Sequence, residues 1–374
     1  MAINNVCIIG STGNVGSELV KQIESYDTRT LEEGDENHPG HRNPTRIVGL
    51  ANTRGAIFKA SGIRNGAGIK GEEYATSGRT LGDARELIDM ASHRGLDGDM
   101  TFVDVTASKE MLAFHQQAVR AGFGVVTANK NPLAFASFEE FQTLTADRKL
   151  YRFNASVMAG GDAVPLLQDS VDTSARINHI RGCFSGTLGY ICSQLESGAS
   201  FSGIVQDAHD KKYTEPHPWD DLNGLDVSRK LLILARSAGL PVEMDDLQRE
   251  PFIPEQYGEI TDVADFLRSM QALDDAFASR VGEAQSRGNV LRYVADMTAK
   301  EDRRALSIQL KEIPRTTEIG GLKGTSNIVD VSLNINGDPT PITHKIITPG
   351  AGVGKTAWAI RRDLLQLQRQ RRHG

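Results

Sequence analysis

Cysteine is scarce in this chain. Cys7, Cys183 and Cys192 are its three, widely separated and without a Cys-x-x-Cys pair. That set does not build a disulfide framework, and a reducing cytoplasm fits it. Each reads as a small core residue rather than a nucleophile. Long apolar runs are missing as well, since no stretch approaches the ~20 residues that cross a bilayer. The opening "MAINNVCIIGSTG" has neither the basic region nor the cleavage site of a secretory signal. Positive charge is in deficit. A net charge of -6 gives no general attraction to nucleic acid or to an anionic membrane. The basic stretch "RRDLLQLQRQRRHG" has no aromatic platform beside it and reads as a solvated helix tail. Internal repeats and low-complexity tracts are lacking.

What is present is an ordinary globular composition, 39% apolar and 24% charged over 374 residues, with room for two domains. "NNVCIIG", "RIVGLAN", "TFVDVTA" and "FGVVTAN" are near-continuous apolar runs, as parallel strands covered on both faces should be. Helical stretches such as "SELVKQIESY" and "KEMLAFHQQAVRA" alternate with them, which predicts a doubly wound α/β domain. Asp27 to Asn43 is polar and turn-rich and reads as an exposed loop. Its His38 and His41 lack the third ligand that a metal site needs. From about Ser156 the texture changes to helices and strands of an α+β domain. "ITHKIITPGAG" and the helix after it form one more strand–loop–helix unit. We therefore place the doubly wound domain at 1–155, completed by 340–374, and a second domain at 156–339.

"CIIGSTGNVGSELV" sets Gly10, Gly13 and Gly16 between a strand and a helix. A dinucleotide loop needs glycine there, because the backbone turns tightly and approaches the pyrophosphate, which sits on free helix N–H groups. Thr12, Asn14 and Val15 belong to the same candidate loop. The plain alternative is a glycine turn that packs a helix on a sheet. The second strand ends "GLANTRG". It has no acid to favour NAD, and Arg54 stands ready for the extra phosphate of NADP, so NADP is expected and NAD remains possible.

"KKYTEPHPWDDLNGLDVSRKLLILARSAG" gathers Tyr213, Glu215 and Asp221 in a loop that leads into a helix. On that helix Asp226 and Lys230 are four apart and share a face. An exposed i,i+4 ion pair would stabilise by only about 0.3–0.5 kcal/mol. A site for a small zwitterion is the sharper reading, with carboxylates for an ammonium or hydroxyl and a lysine to move a proton. Lys130 follows the strand run "VVTAN", at the strand end where ligands collect in open α/β sheets. Near the C-terminus "PGAGVGKTA" imitates a phosphate-binding P-loop. That loop requires G-x-x-x-x-G-K-[ST], and Gly350 to Gly354 is one residue short.

Taken in order, "IIGSTGNVGSELV", "VVTANKNPLA", the long run from Phe184 to Gly239 and "PGAGVGKTA" resemble the homoserine dehydrogenases over nearly the whole chain. The resemblance implies a Rossmann-like α/β dinucleotide-binding domain and an α+β catalytic and dimerisation domain. It implies a homodimer and the reversible conversion of L-homoserine to L-aspartate 4-semialdehyde with NAD(P). That reaction serves threonine, methionine and isoleucine synthesis. By position, Lys230 matches the proton donor and acceptor, Asp226 the acid beside it, and Lys130 the lysine between substrate and nicotinamide. Glu215 matches the acid for the amino group, with Tyr213, Asp221 and Thr187 near it. Thr106 and Gly352 match cofactor contacts. Which lysine transfers the proton stays open.

Three departures stand out. Asn154 replaces the acid of the family's cation loop, leaving backbone carbonyls near Val157, Ala159 and Gly161 as candidate ligands for sodium. His217 and Trp219 stand where the family often has Asp and Arg, and read as variation at the site rim. Neither an ACT domain nor an aspartokinase is expected, and so neither is threonine feedback through them. Two rivals need other features. Aspartate-semialdehyde dehydrogenase chemistry needs a cysteine nucleophile in a suitable setting, and an inactive NADP-sensing relative would not need Lys130, Glu215, Asp226 and Lys230.

Overall fold

The computed structural model describes residues 3–28, 44–96, 98–159, 161–300, 303–335, 338, 340–350 and 352–372. His38, His41 and most of the polar loop lie outside these residues. The chain divides into two units, residues 1–160 with 352–374, and residues 161–351.

The first unit is built on a six-stranded sheet in the order β3-β2-β1-β4-β5-β6. Its strands are β1 (Asn4–Ile9), β2 (Thr45–Asn52), β3 (Gly55–Phe58), β4 (Met100–Asp104), β5 (Gly124–Thr127) and β6 (Tyr151–Arg152). All neighbours pair in parallel except β3, which turns back antiparallel on β2. Every residue of β4 and β5 is buried, which is why these runs carry no alternation. Between the strands lie α1 (Asn14–Gln22), α2 (Gly71–Ser77), α3 (Glu86–Ser92), α4 (Met111–Arg120), α5 (Asn131–Phe135) and α6 (Phe138–Thr145). The C-terminal helix, Val353–Arg372, also belongs here. Its Ala357, Ile360, Leu364 and Leu367 join Val6, Ile8, Leu19, Val103 and Val126 in one core.

Two readings are corrected in this unit. Asp27 is not in an exposed loop. It is fully buried in a π-helical turn that prolongs α1, and Arg361 of the C-terminal helix holds it with two bonds of 2.7 and 2.9 Å. The basic tail is not simply solvated either. Leu364 and Leu367 are buried, and Arg371 donates to the carbonyls of Lys149, Gly98 and Gly122. Both errors have one cause: the partners lie hundreds of positions away in sequence.

The second unit carries a six-stranded sheet in the order β12-β11-β7-β9-β10-β8. The strands are β7 (Arg176–Cys183), β8 (Leu247–Arg249), β9 (Asn289–Lys300), β10 (Arg303–Pro314), β11 (Asn327–Asn334) and β12 (Ile342–Thr348). Pairing is antiparallel except between β8 and β10. The main helices are α7 (Ala163–Asp172), α8 (Gly186–Leu195), α9 (Phe201–Asp210), α10 (Trp219–Leu222), α11 (Leu225–Ser237), α12 (Val263–Ser269) and α13 (Asp274–Ser286). Helices α8, α11 and α13 lie against β9. Strand β12 pairs with β11, so residues 340–351 stay in this unit and the return to the first begins at Gly352. The three cysteines are buried, and burial pushes the Cys192 thiol up to about 11 and Cys183 to about 12.

Candidate active site

Each unit holds a cluster of its own. In the first, the glycine loop joins β1 to α1. Gly10 adopts φ 88°, and a Cβ on Gly16 would lie 2.2 Å from the Gly10 carbonyl oxygen, so only glycine fits. Gly13 caps α1 without a side-chain acceptor, and the first turn carries no acid. Its N–H groups and dipole therefore face outward, where Thr12 and Asn14 are exposed and Val15 is half-buried. Ser11 anchors the loop from below. Its hydroxyl bonds the Ala51 carbonyl at 3.0 Å and Tyr74 Oη at 2.8 Å. Sequence reading missed both residues, because Tyr74 is remote and Ser11 looks like any loop serine.

At the end of β2, Asn52 Oδ1 accepts from the Arg54 N–H at 2.8 Å, and Asn52 Nδ2 reaches Thr12 Oγ1 at 3.5 Å. The strand end and glycine loop are thus one piece. Arg54 is exposed and passes beside Gly71. Thr106 and Lys130 stand just beyond β4 and β5, both half-buried. Thr106 N–H bonds Asp104 Oδ1 at 2.8 Å, and Lys130 caps α5.

The second cluster lies in the other unit. The left-handed turn at Gly224, φ 75°, opens α11, and a Cβ there would strike Tyr293 Oη at 2.1 Å. The turn aims Asp226 and Lys230 along one face. Lys230 Nζ lies 2.6 Å from Asp226 Oδ2 and donates to the Phe184 carbonyl at 2.8 Å. Its side chain is only 12% exposed. Asp221 Oδ2 accepts from the Glu215 N–H at 2.7 Å, so the acid loop is tied to its own helix start. Burial pushes the Asp221 carboxyl up to about 6, with the Glu215 and Asp226 charges adding to it. Thr187 on α8 donates to the Tyr213 carbonyl at 2.6 Å, and the Tyr213 ring meets Tyr190 edge-on at 5.0 Å. Thr187, Tyr213, Glu215, Asp221, Asp226 and Lys230 are thus brought together in one unit.

His217 and Trp219 do more than decorate a rim. His217 Nδ1 accepts from the Trp219 N–H at 3.2 Å, which leaves Nε2 as the donor to the Ile260 carbonyl at 2.9 Å. A Cβ on Gly258 would meet the Trp219 ring at 2.5 Å. Both side chains pin the acid loop to the 255–266 segment.

The C-terminal glycines divide between the units. A Cβ on Gly350 would lie 2.1 Å from the Thr325 carbonyl oxygen, so this glycine serves packing in the second unit. Gly352 starts the C-terminal helix, where Thr356 N–H bonds its carbonyl at 3.0 Å, and Lys355 is exposed. The strand before the loop is antiparallel to its neighbour, unlike the parallel strand of a P-loop. Val157 and Ala159 end the first unit and Gly161 opens the second. Asn154 is buried in a 3-10 turn of the first unit. Among the described residues no three acids, histidines or cysteines gather for a metal.

Known proteins resemble this chain in sequence and in fold. A family model described as homoserine dehydrogenase matches residues 164–365, and one described as its NAD binding domain matches residues 12–152. A homoserine dehydrogenase of Paracoccidioides brasiliensis is 32% identical over 72% of this chain and 74% of its own length. A chloroplastic bifunctional aspartokinase/homoserine dehydrogenase of Daucus carota is 30% identical over 97% of this chain, which spans 38% of that protein. A Candida auris protein of unknown function has a solved structure with TM-score 0.80 at 26% identity, covering 98% of this chain and 99% of that one. A hyperthermophilic archaeal homoserine dehydrogenase in complex with NADPH shares the fold, with TM-score 0.69 at 18% identity over 98% of both chains. Matched in both of its units, the chain belongs to the homoserine dehydrogenases, a family of NAD(P)-dependent oxidoreductases.

Proposed function

We propose that this chain interconverts L-homoserine and L-aspartate 4-semialdehyde with NADP(H). The observation that carries the reading is Lys230, 12% exposed and tied to Asp226 and the Phe184 carbonyl, with Asp226 in turn adding its charge to the burial that raises the Asp221 carboxyl. A lysine so fixed supplies charge and a proton at one place rather than sweeping through solvent. The glycine cradle, with its 2.2 Å limit at Gly16, fits a dinucleotide pyrophosphate. When bound, the nicotinamide takes or gives the hydride at C4 of the substrate.

The residues then divide the work. Glu215, with Tyr213, Asp221 and Thr187, holds the substrate amino group and its surroundings. As the aldehyde is reduced, negative charge grows on its oxygen, and a lysine ammonium stabilises that charge and delivers the proton. In the oxidation the same proton leaves the hydroxyl. Asp226 orients Lys230, and Lys130 is the second cation of the mechanism. Gly10, Gly13, Gly16, Thr12, Asn14, Val15, Thr106 and Gly352 line the cofactor path. Arg54, with no acid at the end of β2, favours NADP. A sodium ion on backbone carbonyls near Val157, Ala159 and Gly161, a homodimer and a cytoplasmic location complete the reading.

The test is NADPH consumption with aspartate semialdehyde, beside NADP reduction by homoserine. Lys230→Ala and Lys130→Ala should each lower turnover by about a hundredfold or more. Near-parental turnover in both variants would defeat the mechanism. A parent that binds NADPH yet turns over neither substrate would defeat the function. Running the assay with NAD, and with sodium replaced by a bulky organic cation, decides the cofactor and the ion. The native mass decides the dimer.

A further inference from the structure

One polar chain in the first unit is not accounted for by these roles. Asp104, His115, Asn129 and Asn131 are buried, and the first two have no exposure at all. Burying such groups costs free energy unless their bonds are made. For Asp104, Asn129 and Asn131 they are made, and they converge. Asp104 Oδ1 accepts the Thr106 N–H at 2.8 Å and Oδ2 accepts Asn129 Nδ2 at 3.0 Å. The same Asn129 amide reaches Thr106 Oγ1 at 3.2 Å and the Ser108 carbonyl at 2.8 Å. Asn129 Oδ1 accepts the Asn131 N–H at 3.0 Å, and Asn131 Nδ2 donates to the Ala107 carbonyl at 2.6 Å. The loop after β4 and the loop after β5 are therefore one rigid piece, and Lys130 sits between the two asparagines that stitch it.

Behind that piece stands His115 of α4. Its Nε2 lies 3.1 Å from Asp104 Oδ2, and its Nδ1 lies 2.9 Å from Tyr151 Oη on β6. Burial and the Asp104 charge hold the Tyr151 phenol well above its ordinary value, so it keeps its proton. The phenol donates to Nδ1, which leaves the ring's N–H on Nε2 facing Asp104. Nδ1 is thus bonded to Tyr151, while Nε2 stands 3.1 Å from Asp104 Oδ2 off the line of a hydrogen bond, so that side of the ring is held by proximity to the carboxylate.

We propose that Tyr151, His115 and Asp104 form a buried brace that fixes where Thr106 and Lys130 stand, making His115 a positioning residue for hydride transfer. The inference rests on the roles given above to Thr106 and Lys130. The brace acts through Asp104 on both: Thr106 directly at its backbone N–H and through Asn129 at its hydroxyl, Lys130 through Asn129 and then Asn131.

The experiment compares His115→Leu, His115→Gln and Tyr151→Phe with the parent, by steady-state kinetics, NADPH fluorescence titration and thermal melting. A displaced Lys130 should lower kcat of His115→Leu by about tenfold or more, with KM for homoserine within about twofold, since small misplacements cost rate before binding. A displaced Thr106 should weaken NADPH binding by about threefold or more, the size of a lost hydrogen bond. The glutamine amide can reach Asp104 as Nε2 does, so His115→Gln should recover most of the loss. A folded His115→Leu with parental kcat and NADPH affinity overturns the proposal, and so does a His115→Gln as impaired as His115→Leu. If His115→Leu does not fold, Tyr151→Phe decides. It keeps the ring, and its kcat should fall by about threefold, again a hydrogen-bond-sized loss; parental kcat overturns the brace. If the parent oxidises no homoserine, the functional reading fails, and the NADPH titration still judges the brace by the same threshold.

Discussion

Asp221 is the residue whose chemistry pH can reach. Its carboxyl is raised to about 6, first by burial, against about 3.9 in an unfolded chain. The folded form therefore binds the proton more tightly, and stability from this group falls as pH rises from about 4 to 6. Function runs the other way, because only the ionised form attracts an ammonium. We expect kcat/KM for homoserine to fall as pH drops through about 6, and Asp221→Asn to remove that limb while lowering kcat/KM above it. A pH profile of the variant with the same limb would reassign it. At this scale the sequence was legible where chemistry imposes a residue type. Gly16 could be named because nothing with a Cβ fits, and Lys230 because an acid stands four positions before it. Ser11 with Tyr74, and His217 with Ile260, could not be named. Their meaning lies in partners that no local pattern marks.

The element that repays attention is the C-terminal helix. Asp27 has no exposure, and Arg361 is its cation at 2.7 Å. Removing one member of a buried pair takes away most of the compensation for the other's charge. Arg361→Ala should destabilise the protein by about 3 kcal/mol, read as a drop in melting temperature, and Asp27→Asn in the same chain should recover part of it. No recovery in the double variant would mean that packing, not charge, is what Arg361 provides. Among elements, β1, β2, β4 and β5 were plain in the sequence because buried parallel strands are unbroken apolar runs. The antiparallel turn-back of β3 and the two-residue β6 carry no such signal. The place of β12 was harder still. Its strand pattern was readable, but its neighbour β11 is chosen by the sheet, and the glycine loop after it drew the strand toward the wrong unit.

Over the whole molecule, the first unit is discontinuous. The chain leaves it at 160 and returns at 352. The returning helix brings Ala357, Ala359, Ile360, Leu364 and Leu367 into the core shared by β1 and α1. Burying side chains of that size stabilises by about 1.5–3 kcal/mol each for the larger ones, which rivals the whole stability of a typical domain. Deleting residues 353–372 should therefore abolish cooperative melting of the first unit and NADPH binding together. A truncated chain that melts and binds as the parent does would show the helix to be dispensable.

That discontinuity also sets an order in time. A chain emerging from the ribosome usually completes its N-terminal domain first. Here residues 161–351 are contiguous and have all their core strands in hand before residue 353 is made. The N-terminal sheet meanwhile waits with the apolar surface around Leu19 and Val126 uncovered. The unit begun first in synthesis can therefore close its core only after residue 367 has been made.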